Sequence, residues 1–150
     1  MHTTLIPKIP SSGELKTKPT QHSYKELMSL GIKPNIFIIR CEDVITDDIK
    51  EKISLFCDVP VEAIVQSYNV DFIYEVPLSL KAQGLDDYVL HKLNLDLPDS
   101  DLREWKSVVK RYKETTQTLS IGLVGKYVAL HDAYLSVSQA LEDAGYALGH

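Results

Sequence analysis

Between Lys8 and Lys25 the chain carries four lysines and a single acid, Glu14. Two of the lysines, Lys16 and Lys18, flank Thr17 in the stretch GELKTKPTQHS, and Pro19, Thr20 and Gln21 follow. The chain as a whole is acidic, with a formal net charge of -5. A local cluster of cations in that setting could hold a polyphosphate by point charge, with Thr17, Thr20 and backbone N–H groups adding hydrogen bonds. A helix starting after Pro19 would turn its positive end toward the same spot. Charge alone leaves a solvated basic loop open, and the usual exposure of lysine favours it.

Other residues with chemical potential form no constellation. GLVGKY, residues 122–127, invites a phosphate-loop reading, but its glycines are too close together. Tyr127 also stands where a Ser or Thr should bind magnesium. The stretch reads better as a tight strand-to-helix turn. His22, His91 and His131 have no metal-ligand spacing, so surface or capping roles suit them. Asp86 and Asp87 follow Gly84 and read as helix-start acids rather than a metal site. The only cysteines, Cys41 and Cys57, sit in apolar surroundings. Both read as small core residues and not as a disulfide scaffold.

The elements that must position these residues follow from periodicity. Residues 3–6 read as a strand closed by Pro7, and residues 8–18 as a loop. Thr20 reads as the N-cap of a helix carrying Tyr24, Leu27, Met28 and Leu30, with Gly31 as its stop. Residues 35–41 are almost continuously apolar, the pattern of a parallel strand buried on both faces. Thr46 caps the next helix, with Asp47 and Asp48 in its first turn and Ile49, Ile53, Phe56 and Cys57 as its stripe. Residues 63–65 read as a brief strand, 73–83 and 85–93 as two helices parted by Gly84.

From residue 94 the character changes. Asp96, Pro98, Asp99, Ser100 and Asp101 read as a linker that opens a solvated helix running to about Lys113, with Trp105 and Val109 on one face. Residues 118–124 read as a second apolar strand, and a helix follows from about Asp132 to Ala144. The order is that of an α/β protein. It implies the end of one α/β domain, a linker, and the first unit of another.

Bulk properties set limits. The 150 residues are 44% hydrophobic and 25% charged, which is a globular composition. The acidic balance argues against a chain-wide nucleic-acid surface. The apolar runs are too short to span a bilayer, and residues 1–4 lack the pattern of a signal peptide. The cytoplasm is the expected compartment.

Taken together, five segments resemble the CTP synthase family in order and spacing. They are SGELKTKPTQHS (12–23), KEKISLFCDVP (50–60), VDFIYEVPLSL (70–80), GLDDYVL (84–90) and IGLVGKYVALHDAYLSV (121–137). The resemblance covers essentially the whole chain. It implies a glutamine-hydrolysing ligase of pyrimidine biosynthesis. In that chemistry ATP phosphorylates O4 of UTP, and ammonia released from glutamine displaces the phosphate to give CTP; GTP promotes the glutaminase step. It also implies a partial Rossmann-like parallel sheet. Residues 1–93 would be the C-terminal part of the synthetase domain, 94–116 a linker, and 117–150 the first βα unit of a class I glutaminase-like domain. The chain would then be an internal fragment. The family's phosphate loop, its Mg2+ ligands and its glutaminase cysteine would lie outside it.

Carried over residue by residue, the resemblance gives Lys16, Thr17, Lys18, Pro19, Thr20, Gln21 and Lys52 to the site for UTP and the inhibitor CTP. Lys16 and Lys18 would face the triphosphate, with Gln21 supporting it. It gives Tyr68, Asn69 and Val70 to the ATP site, although many members carry a basic residue and Asp at the first two of these positions. No catalytic residue and no metal ligand is implied within the chain. A homotetramer is implied for the family. A reading from another class remains beside this one: a free-standing nucleotide-binding or synthase-docking module without catalysis.

Overall fold

Three short apolar segments, separated by helices, line up as a parallel sheet in the computed structural model, which describes residues 1–150. Strand β1 is His2–Leu5, β2 is Phe37–Arg40 and β3 is Ile64–Ser67. Their spatial order is β1-β2-β3, with His2 opposite Phe37 and Phe37 opposite Ile64. Parallel neighbours require crossovers. Helix α1, Lys18–Ser29, joins the first pair and α2, Asp47–Cys57, the second. Helices α3, Val76–Ala82, and α4, Leu85–Leu93, follow β3.

The chain divides into two compact units, Met1–Ser100 and Asp101–His150. The first holds the core: Ile6, Phe37, Ile39, Ile53, Cys57 and Ile64 are among its buried residues. Leu15, Tyr24, Ile49 and Tyr88 pack against them from its borders. Each fully buried side chain of this size stabilises the fold by about 1.5–3 kcal/mol. Gly31, at φ +77°, adopts the left-handed conformation that ends α1, as its sequence position predicts.

Several elements depart from the pattern read in the sequence. The strand expected at residues 63–65 starts one residue later. Val61–Ala63 form a single 3-10 turn in which the Ala63 N–H donates to the Pro60 carbonyl at 3.0 Å. The edge strand β3, expected only as a brief strand, is buried throughout, whereas the strand expected to be buried on both faces is not. Strand β2 buries Phe37 and Ile39, leaves Ile38 half-buried and exposes Arg40. Thr20 is not the N-cap of α1. The helix begins at Lys18 after Thr17, and Thr20 lies inside its first turn.

The second unit contains α5, Arg103–Glu114, a 3-10 turn at His131–Tyr134, and α6, Leu135–Leu148. Val109 is the buried residue of α5, and Tyr112 meets Tyr146 of α6 edge-on with ring centroids 5.0 Å apart. The strand expected at residues 118–124 does not form; the segment has no regular structure and Val124 is 98% exposed. An apolar run becomes a strand only beside another strand, which satisfies its N–H and C=O groups. The second unit contains none. Leu119, Ile121 and Leu123 instead line a cavity of about 450 Å³ with Leu141 and Tyr146 of α6.

Candidate functional site

In a parallel sheet every strand ends on the same edge, so the loops after β1, β2 and β3 emerge together. Ligands in α/β sheets gather outside that carboxyl edge. The loop after β1 is braced by an isolated antiparallel bridge between Lys8 and Leu15, and the Lys16 N–H donates to the Pro7 carbonyl at 3.0 Å. It delivers residues 16–21 to the head of α1.

That head is short of negative charge. No acid lies in the first turn of α1. Lys18, its first residue, is exposed and makes no ion pair. A lysine at the positive end of a helix dipole is locally unfavourable unless an anion joins it. Lys16 is half-buried and its ammonium meets the Glu14 carboxylate at 2.6 Å. Thr17 is buried, and its hydroxyl accepts a hydrogen bond from the Gln21 carboxamide at 3.1 Å. Gln21 therefore ties down the helix start. Thr20 is fully buried; its hydroxyl meets that of Thr4 at 3.0 Å and donates to the Leu5 carbonyl at 3.2 Å. Its side chain locks α1 to β1, and only its backbone N–H, which has no carbonyl partner within the helix, faces the head.

Lys52 lies on α2, which packs against α1. It is exposed and makes no ion pair. Residues 68–70 follow β3 directly, with Tyr68 and Val70 half-buried and Asn69 exposed. The expected residues thus fall in three places: one continuous segment at the head of α1, one lysine on the adjacent helix, and one connection beyond β3.

The sequence reading missed Arg40, the exposed last residue of β2. Its Nη1 donates to the carbonyls of Ser67 and Tyr68, both at 2.9 Å, and to Ser67 Oγ at 3.3 Å. Its Nη2 donates to Asn69 Oδ1 at 2.7 Å. The signal was present: Arg40 is the lone charge in an apolar strand. Gln66 was missed as well. Fully buried, its carboxamide accepts from the Ile45 N–H at 2.9 Å and donates to the Asp43 carbonyl at 2.6 Å, pinning the loop after β2.

One acidic cluster remains, and a lysine neutralises it in part. Oxygens of Asp86, Asp87 and Asp99 lie within 4.8 Å of one another. The Lys81 ammonium is bonded to Asp86 at 2.6 Å and to Asp99 as well, and Ser100 donates to Asp86 at 3.1 Å. Its bond from Lys81 holds the Asp86 carboxyl below the usual carboxylate range. A cation already occupies the centre of this group, so it fits an ion-pair network better than Mg2+. Asp86 and Asp87 do lie in the first turn of α4, as expected of helix-start acids. Both cysteines are buried, and burial pushes the Cys57 thiol up to about 11. His22, His91 and His131 are exposed. No helix is long and apolar enough to cross a membrane.

A family model described as the CTP synthase N-terminus matches residues 1–95. The CTP synthase of Listeria monocytogenes serotype 4b is 52% identical over 146 residues, which are 97% of this chain and 27% of the relative. That of Halalkalibacterium halodurans is 52% identical over 147 residues, 98% of this chain and 28% of the relative. That of Bacillus velezensis is 51% identical over 147 residues, with the same coverage of 98% and 28%. The chain spans little more than a quarter of the length of these relatives.

Proposed function

The chain belongs to the CTP synthase family, and from that premise we propose that it carries part of the nucleotide-binding surface for the ATP-dependent amination of UTP to CTP. The observation that carries this reading is Lys18: an unpaired, exposed cation on the acid-free first residue of α1, beside Lys16, at the carboxyl edge of a parallel sheet. The arrangement is electrostatically unfavourable in the free protein and becomes favourable when a triphosphate joins it. Lys16, Lys18 and Lys52 would supply charge to UTP or CTP. Thr17, Pro19, Thr20 and Gln21 would set the backbone that receives it, and Tyr68, Asn69 and Val70 would border ATP.

Residues 94–116 are proposed as the connection between synthetase and glutaminase regions, and 117–150 as the opening of the latter. Residues 118–124 would gain strand structure when a neighbouring strand is present. ATP with Mg2+, glutamine and GTP are proposed as substrates and effectors of the whole enzyme, and a homotetramer is proposed as its assembly. Within this chain no residue is offered as a metal ligand or as a catalyst.

A second reading, a nucleotide-binding module without catalysis, is favoured by the first unit having its own buried core. Titration of the purified chain with UTP and CTP tests the shared claim. Saturable binding that Lys18→Ala weakens about tenfold or more is expected, and no binding at millimolar nucleotide overturns it. Incubation with UTP, ATP and glutamine or ammonia tests catalysis. No CTP is expected, and its formation by this chain alone would overturn the statement that it lacks catalytic residues.

A further inference from the structure

Two clefts open beside the ends of the strands, and both include the same two residues. One, of about 440 Å³, is lined by Pro7, Lys8, Glu42, Arg40 and Asn69 among others. The second, of about 450 Å³, is lined by Arg40, Tyr68, Asn69, Val70 and Val76 among others. The hydrogen bond from Arg40 to Asn69, 2.7 Å long, belongs to the wall of each.

The same guanidinium reaches three consecutive residues. Ser67, Tyr68 and Asn69 all accept from it, at distances between 2.7 and 3.3 Å. These residues are where β3 stops and the ladder no longer dictates the path of the backbone. Arginine's planar fork suits this task, because several donors lie in one rigid plane. A lysine would bring a single ammonium on a flexible stem. Asn69 is a neutral acceptor, so the bond does not cancel the charge of Arg40.

We propose that Arg40 is a positioning residue for the adenine-nucleotide segment at residues 68–70: it holds their backbone in one conformation and, with Asn69, divides the sheet's carboxyl edge into two clefts. The proposal rests on the nucleotide reading above. Lys16, Lys18 and Lys52 take no part in it, so binding of ATP and of CTP should respond differently to Arg40.

The test uses the purified 150-residue chain and its Arg40→Lys variant. Amide ¹⁵N relaxation without nucleotide reads the order of residues 68–70. Titrations with ATP and CTP read the two affinities. In the parent chain the three amides should be as rigid as the sheet, with order parameters near about 0.85; in Arg40→Lys they should fall below about 0.6. ATP affinity should drop about tenfold, the scale of one lost charge-assisted hydrogen bond, while CTP affinity changes less than about twofold. Unchanged order in Arg40→Lys overturns the proposal, as does lost order with unchanged ATP affinity. Equal weakening of ATP and CTP overturns it too, since that is the mark of general destabilisation. If the parent chain itself does not bind ATP, the nucleotide reading fails and the positioning role fails with it; that result is visible before any variant is made. Should Arg40→Lys not fold, Asn69→Ala, at an exposed position, carries the same two readouts with the same directions.

Discussion

The carboxamide of Gln83 pairs with the backbone of Gln66 as a neighbouring strand would. Gln83 Oε1 accepts from the Gln66 N–H at 2.8 Å, and Gln83 Nε2 donates to the Gln66 carbonyl at 2.7 Å. One side chain from the end of α3 thereby closes the open side of β3. Unpaired strand groups are costly when buried and a template for association when exposed. Inward of that bond the Gln66 side chain holds Asp43 and Ile45. The outer edge of the sheet and the loop after β2 are therefore fixed through one residue.

Gln83→Ala is expected to lower stability by about 1–2 kcal/mol, the cost of two hydrogen bonds whose partners regain water. Urea unfolding of the chain checks it: the midpoint should fall with little change in slope. Gln66→Leu should cost more, because it strands the Ile45 N–H and the Asp43 carbonyl inside the protein.

Thr20→Val separates packing from binding. The replacement keeps the volume but removes the bonds to Thr4 and Leu5. A loss of about 1–2 kcal/mol is expected in thermal or urea unfolding. CTP affinity of the folded protein should stay within about twofold, because the backbone N–H of residue 20 survives; a larger loss would place the hydroxyl itself on the ligand.

Lys18→Ala should show the opposite signature. Removing a cation from the positive end of α1 relieves an unfavourable interaction, so stability should hold or rise by a few tenths of a kcal/mol. CTP binding should weaken about tenfold or more. Raising salt should weaken CTP binding by the parent chain and flatten the difference between the two. Lys16→Ala should have the smaller effect on binding, since Lys16 must first leave Glu14.

Cys57 gives a pH dependence whose sign is fixed. Burial raises its thiol to about 11 in the fold, above the unfolded value of about 8.5. The unfolded chain therefore loses this proton first as pH rises. The contribution is fully present below about pH 8.5 and is lost as pH rises toward 11, amounting to on the order of 3 kcal/mol. Stability measured by urea unfolding between pH 8 and 11 should decline in the parent chain. Cys57→Ala, although less stable at pH 7, should remove that part of the slope.

Much of the first unit could be read from local pattern. The helices themselves, the stop at Gly31 and the acids heading α2 are short-range signals, and they hold because their causes act within one or two turns; the stripes hold only in part, since Ile53 and Cys57 are buried while Met28, Leu30 and Phe56 are exposed. The positions that carry the site's geometry have no such signal. Arg40 meets residues 67–69, Gln66 meets Gln83, and Thr20 meets Thr4, each across many intervening residues. A hydroxyl at a helix start looks like a cap until the strand packed against it claims its hydrogen bond. A run such as residues 118–124 looks like a strand until its neighbours are counted. Residue order alone established which segments were apolar, where helices could start and stop, and to which family the lysine-rich segment belongs. Topology decided which polar atoms meet, because hydrogen-bond partners far apart in the chain are chosen only when the strands align.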